Sequence, residues 1–216
     1  MKKIYFILYS FICFNIAAQK QANVWYFGHK QAIDFNGGDP VSINGSQMTT
    51  DEGCSSVADT KGDLLFYSDG IRIWDKTNTP MPNANGVNYP IEWNRMLSGD
   101  GSSAQSVLIT PDLANCDKYF VFTLDGLTSD TIGPLRQYDG LFYTLIDMTL
   151  NNGNGDIDTA YIRNKDGFAG ASQNKISLVD STTEKLCAIK HANEKDYWVV
   201  TKSEFINSFY AYLVTS

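Results

Sequence analysis

The chain has 216 residues, 43% of them hydrophobic and 13% aromatic, with 17 Gly, 12 Tyr and 12 Phe. That composition excludes general disorder and supplies one large core or two small ones, in a chain biased towards strands and turns. The formal net charge of −7 excludes nucleic acid as a partner, because an acidic surface repels phosphate backbones.

The chain starts with the cationic Met1-Lys2-Lys3, runs apolar from Ile4 to Ile16, and then offers the small residues Ala17-Ala18-Gln19. This order predicts a secretory signal peptide over residues 1–19. A transmembrane anchor needs about 20 apolar residues, more than this run holds. No other stretch is long and apolar enough to cross a bilayer, so no transmembrane segment is expected. Removing residues 1–19 takes away two lysines and no acid, which moves the charge from −7 to −9. Export also bears on the thiols. Cys54, Cys116 and Cys187 remain, an odd number that permits one disulfide and one free thiol. None stands in a CxxC or Cys/His spacing, so zinc is not indicated and small buried side chains are the expectation.

Residues 20–216 are expected to form a single repeat domain. Three segments share one layout: "EGCSSVADTKGDLLFYSDGIRIWDK" from Glu52, "QSVLITPDLANCDKYFVFTLDG" from Gln105 with its continuation "DGLFYTLIDM", and "EKLCAIKHANEKDYWVVTKSEFINSFYAYLVTS" from Glu184. Each reads as a short strand, a polar turn closed by Asp63, Asp117 or Asp196, an aromatic-rich second strand and a third strand. Runs such as Val107–Ile109 and Val199–Val200 are apolar on consecutive residues, the pattern of strands covered on both faces. Units this small cannot bury two faces alone and must stack.

The predicted fold class is therefore all-β, a β-propeller-like array of four-stranded antiparallel blades. The segments "AIDFN", "TAYIRN" and "ISLVD" would supply the outer strands. A β-sandwich is the alternative, because its strands also recur at short intervals. Three unit cores plus the leading "NVWYFGHKQAIDFN" fall short of a typical propeller, so an incomplete propeller, a fragment continuing beyond residue 216, is expected.

The leading segment, the first unit, "MPNANG", "LIDMTLNNGNGDI" and the third unit occur here in fixed order. Together they resemble the N-terminal repeat region of large secreted proteins of gliding bacteria. Such proteins carry a C-terminal type IX sorting domain and are often labelled gliding-motility-associated. The resemblance covers nearly all of the chain after residue 19. It implies export, passage through the outer membrane, and display at the cell surface or release, with the type IX secretion machinery as a partner. The 216 residues contain no sorting domain, so that domain is expected downstream or the route differs. The resemblance supplies no catalytic residues, and none are assigned.

Candidate chemistry is sparse. His29 and His191 allow a Ser/His/Asp triad on paper, but there is no Gly-x-Ser-x-Gly elbow, and both histidines read as turn residues. "NNGNGDIDT" (Asn151 to Thr159) clusters oxygen ligands as calcium requires, yet it lacks the EF-hand order and closing Glu, and Asn and Gly suit a tight turn. No metal and no cofactor is assigned.

Glu52, Gln105 and Glu184 each open a unit and lie seven residues before Asp59, Asp112 and His191. In a propeller they would form a polar ring at one channel mouth, able to hold a cation or a sugar hydroxyl. Ordinary polarity at a strand start explains them equally well. Tyr89, Trp93 and Tyr138 could stack on sugars or plug seams. The leading expectation is a non-catalytic secreted or cell-surface module for recognition, adhesion or display, binding a surface glycan or protein. The rivals are an extracellular hydrolase acting on polysaccharide or peptide and a purely structural spacer.

Overall fold

The computed structural model describes residues 20–84, 97–126, 140–166 and 175–216. The expected signal peptide and the aromatics Tyr89, Trp93 and Tyr138 lie outside them. Within the described residues the chain is all-β, with one short helix and a few 3-10 turns.

Four small antiparallel sheets follow one another along the chain, and none closes on itself. Sheet I is β1 (Val24–Phe27), β2 (Gln31–Asp34) and β3 (Val41–Ser42). Sheet II is β4 (Ser55–Ala58), β5 (Leu64–Ser68) and β6 (Ile73–Asp75). Sheet III contains β7 (Val107–Pro111), β8 (Lys118–Leu124) and β9 (Leu141–Asp147). The outer edge of β9 takes both β10 (Asp156–Ile157) and β11 (Ile176–Val179). Sheet IV is β12 (Thr182–Lys190), β13 (Tyr197–Ser203) and β14 (Phe209–Val214).

The turns that separate the first and second strands of sheets II, III and IV share one chemistry. The amides of Asp59, Asp112 and His191 donate to the carbonyls of Asp63, Lys118 and Asp196 at 2.8–2.9 Å. In each turn the opening side chain accepts the amide two residues on: Lys61 onto Asp59 at 2.8 Å, Ala114 onto Asp112 at 2.9 Å, and Asn193 onto His191 Nδ1 at 3.1 Å. This Asx-turn geometry is why a polar residue recurs there. A second repeat closes the third strands: Asp75 and Asp147 each accept both the amide and the hydroxyl of the Thr two residues on.

The sheets stack in chain order through three apolar seams. Sheets I and II meet through Val24, Tyr26, Ala58, Tyr67 and Trp74, with Tyr67 sandwiched between the rings of Tyr26 at 4.3 Å and Trp74 at 5.3 Å. Sheets II and III meet through Phe66, Ile73, Val107, Val121 and Ile146. Sheets III and IV meet through Phe122, Leu124, Leu141, Leu186 and Val199. Stacking thus buries both faces of sheets II and III, as the consecutive apolar runs require. Sheet IV departs from that expectation, because among the described residues only one of its faces is packed against another sheet.

Other details also differ from expectation. The four sheets hold three, three, five and three strands, not four each, and the described residues do not form a closed ring. "AIDFN" is the partner of β1 rather than an outer strand, while "ISLVD" does add an outer strand, to β9. "TAYIRN" is not a strand but the start of α1 (Thr159–Asp166). Asp158 caps that helix, its carboxylate accepting the Tyr161 amide at 2.9 Å, and a capped first turn outweighs the strand propensity of Thr, Tyr and Ile.

Candidate functional site

The starts of β4, β7 and β12 lie at one end of the stack, held there by backbone and side-chain hydrogen bonds between sheets. The Gly53 amide donates to Ser103 O at 3.1 Å, and the Asp51 amide to Gly101 O at 3.3 Å. One step further along, the Ala104 amide donates to Glu184 Oε2 at 3.1 Å and the Leu186 amide to Gln105 Oε1 at 2.7 Å. Gln105 and Glu184 therefore grip each other's strand starts reciprocally. Glu52 adjoins the Gly53–Ser103 contact and is exposed, as is Gln105. The structure brings Gln105 and Glu184 together across sheets III and IV, and sets Glu52 beside the contact that joins sheets II and III.

That end of the stack tolerates little added bulk. A Cβ on Gly53 would stand 2.2 Å from the Ser106 amide nitrogen, and one on Gly70 would stand 2.1 Å from Ser106 Oγ. Ser106 Oγ donates to Asp69 O at 2.9 Å and accepts the Asp100 amide at 3.1 Å. This ties the β5–β6 turn to the approach to β7. Asp69 is 2% exposed, and its carboxylate accepts the amides of Ile71 and Arg72 at 2.8 and 2.7 Å. Burial pushes that carboxyl up despite those bonds. Nearby, Ser103 Oγ is buried without a hydrogen-bond partner among the described residues.

The hairpin tip of sheet I joins the same end. The Thr50 amide donates to Gly28 O at 3.3 Å, and His29 Nε2 lies 3.0 Å from Asp51 Oδ1, both side chains largely exposed. Sequence reasoning missed this pairing and the role of Ser106. Neither residue carries a local motif, and both contacts depend on how separate sheets meet. A signal for the keyed turns was available in the recurring "SDG" and "LDG" at the ends of β5 and β8.

The other candidates are distributed differently. His191 is at the opposite end, in the sheet IV turn that corresponds to those at Asp59 and Asp112, its ring 5.6 Å from that of Trp198. The first part of "NNGNGDIDT" forms a tight turn in which Asn151, Asn152, Gly153 and Gly155 all take positive φ, and its remainder enters β10 and α1. Among the described residues no three His, Cys, Asp or Glu side chains gather as a metal-binding group. The cysteines correct the expectation of burial: all three are free thiols, Cys116 and Cys187 exposed and Cys54 half-buried. Among the described residues no helix is long and apolar enough to cross a membrane. Compared with known proteins, the chain matches no family model, no curated sequence and no solved structure.

Proposed function

We propose that this chain is a secreted or cell-surface recognition module, built as an arc of propeller-like blades, whose non-catalytic binding rim is formed by Glu52, Gln105 and Glu184. The observation that carries this reading is the gathering of three strand starts at one end, joined through Gln105 and Glu184. Radial stacking brings first strands together around an axis in this way, and on that ground the propeller is preferred to a sandwich. Convergent polar groups on a rigid scaffold suit the hydroxyls of a surface glycan or the polar face of a protein. The resemblance to type IX-sorted proteins of gliding bacteria favours display outside the outer membrane.

The test is a glycan-array screen of the full chain beside a panel of hydrolase substrates. Binding without turnover is expected, weakened at least about tenfold, roughly 1.4 kcal/mol, by Glu52→Ala or Glu184→Gln. The Gln substitution keeps an acceptor for the Ala104 amide and so isolates the charge. Turnover of any substrate would replace this reading with the hydrolase. Silence in both screens would leave the structural spacer.

A further inference from the structure

The sequence holds five Asn-Gly pairs, at Asn36, Asn44, Asn85, Asn152 and Asn154. Each gives the chain a means of modifying itself. Glycine has no Cβ, so its backbone nitrogen can reach the side-chain carbonyl carbon of the asparagine before it. Asn85 lies outside the described residues. The fold treats the other four differently.

At Asn152 and Asn154 the attacking nitrogens are engaged. The Gly153 and Gly155 amides both donate to Leu150 O, at 3.0 and 3.1 Å, so neither can lose its proton or turn without breaking a bond. At Asn36 the side chain is engaged instead. Its Nδ2 donates to Gly62 O at 2.9 Å and its Oδ1 accepts from Asn23 Nδ2 at 3.3 Å, and a Cβ on Gly62 would collide with that Oδ1. Asn44 escapes both restraints. It and Gly45 are exposed, and among the described residues neither the Asn44 side chain nor the Gly45 N–H has a hydrogen-bond partner.

We propose that Asn44 is a self-modification site, which deamidates in the folded chain while the other three described pairs are held. Hydroxide takes the Gly45 N–H proton, and the nitrogen forms a bond to Asn44 Cγ. The Cγ–Nδ2 bond breaks and ammonia leaves, closing a succinimide ring. Water then opens the ring at either carbonyl. Opening at Cγ leaves aspartate, and opening at the backbone carbonyl leaves isoaspartate, with the main chain rerouted through Cβ. Water is the only co-reactant, no redox change occurs, and either product adds a negative charge.

The modification falls on an anchored run. The Asn78 side chain packs against Gly45, where an added Cβ would stand 2.9 Å from Asn78 Nδ2. Asn78 Oδ1 accepts the Tyr67 hydroxyl at 3.0 Å, and Tyr67 Oη accepts the Gln47 amide at 3.0 Å. Isoaspartate inserts an extra main-chain carbon immediately before Gly45, which displaces that glycine from Asn78 and loosens the link to sheet II.

Incubation of the folded full chain at mildly alkaline pH, followed by fragment-level mass spectrometry, reads the four sites together. Residue 44 is expected to gain the amide-to-acid mass change at least about tenfold faster than Asn36, Asn152 and Asn154. In denaturant the four rates should converge, because the restraints that separate them are structural. Ammonia released early should match the acid formed at residue 44, and Asn44→Gln should remove that early signal. Equal rates in the folded chain overturn the inference. So does a preference for Asn44 that persists unchanged in denaturant, since the choice would then lie in the flanking residues and not in the fold.

Discussion

Sheets III and IV are the same meander in different surroundings. In sheet III both faces meet other sheets, and the outer edge of β9 is capped by β10 and β11. Among the described residues, one face of sheet IV has no sheet packed on it and β14 pairs with β13 alone. Phe122 and Val200 mark the contrast. They occupy matching positions on the second strands, facing away from the preceding sheet. Phe122 is 4% exposed, whereas Val200 is only half-buried. The difference teaches that the repeat specifies strands and turns, while the neighbour specifies burial.

The largest expected effect sharpens that contrast directly. Phe122→Ala should cost about 3–5 kcal/mol, because it opens a cavity in a closed seam. Val200→Ala should cost less than about 1 kcal/mol. Denaturant melts of the two variants check this, and equal losses would erase the distinction between the sheets.

An intermediate effect is expected at the edge of sheet III. Lys118 Nζ lies 2.9 Å from Asp158 Oδ2 and 3.1 Å from Asp147 Oδ2. The hydrogen bond to Asp158 is the main reason the Lys118 ammonium titrates above its ordinary value. Burial pushes both carboxyls up, but Lys118 and the partners from Thr149 and Tyr161 outweigh it and hold both below their usual range. Depressed carboxylates stabilise the fold above their unfolded pKa of about 4, and that stability is lost as pH falls through the folded values. Lys118→Met should therefore lower stability at pH 7 by about 1–2 kcal/mol and flatten the loss of stability between about pH 5 and 2. An unchanged acid profile in thermal melts would remove the ion triplet as a stabilising element of sheet III.

The smallest effect tests whether the turns are truly equivalent. His191→Asp restores the carboxylate found at Asp59 and Asp112, and should raise stability by about 0.5 kcal/mol, seen as a rise in Tm. A loss would mean that the contact with Trp198 matters more than the shared turn.

These comparisons show which parts of the molecule were legible in the residues. The turns at Asp59, Asp112 and His191 were, because an Asx-type acceptor acts within five residues and needs no distant partner. Leu64–Ser68, Lys118–Leu124 and Phe209–Val214 match the expected strands end to end. The helix over "TAYIRN" was not legible from its own residues, since the cap that decides it is Asp158. The equal spacing of Glu52, Gln105 and Glu184 places each near the start of a first strand, and that much is local. The reciprocal grip between Gln105 and Glu184 is not, because it depends on the distance between two sheets, which no short motif encodes. The open face of sheet IV was hidden for the same reason: Val199–Val200 reads as a two-faced run whatever lies beyond it.

The meander connectivity also governs how the molecule forms. Almost every strand pairs with a neighbour in the chain, so each sheet is built from one contiguous stretch. Each sheet can assemble from a contiguous stretch as that stretch emerges, and each waits for the next to shield its outward side. A chain emerging from its N-terminus would thus gain order in steps, with sheet I first covered once Asp75 has emerged.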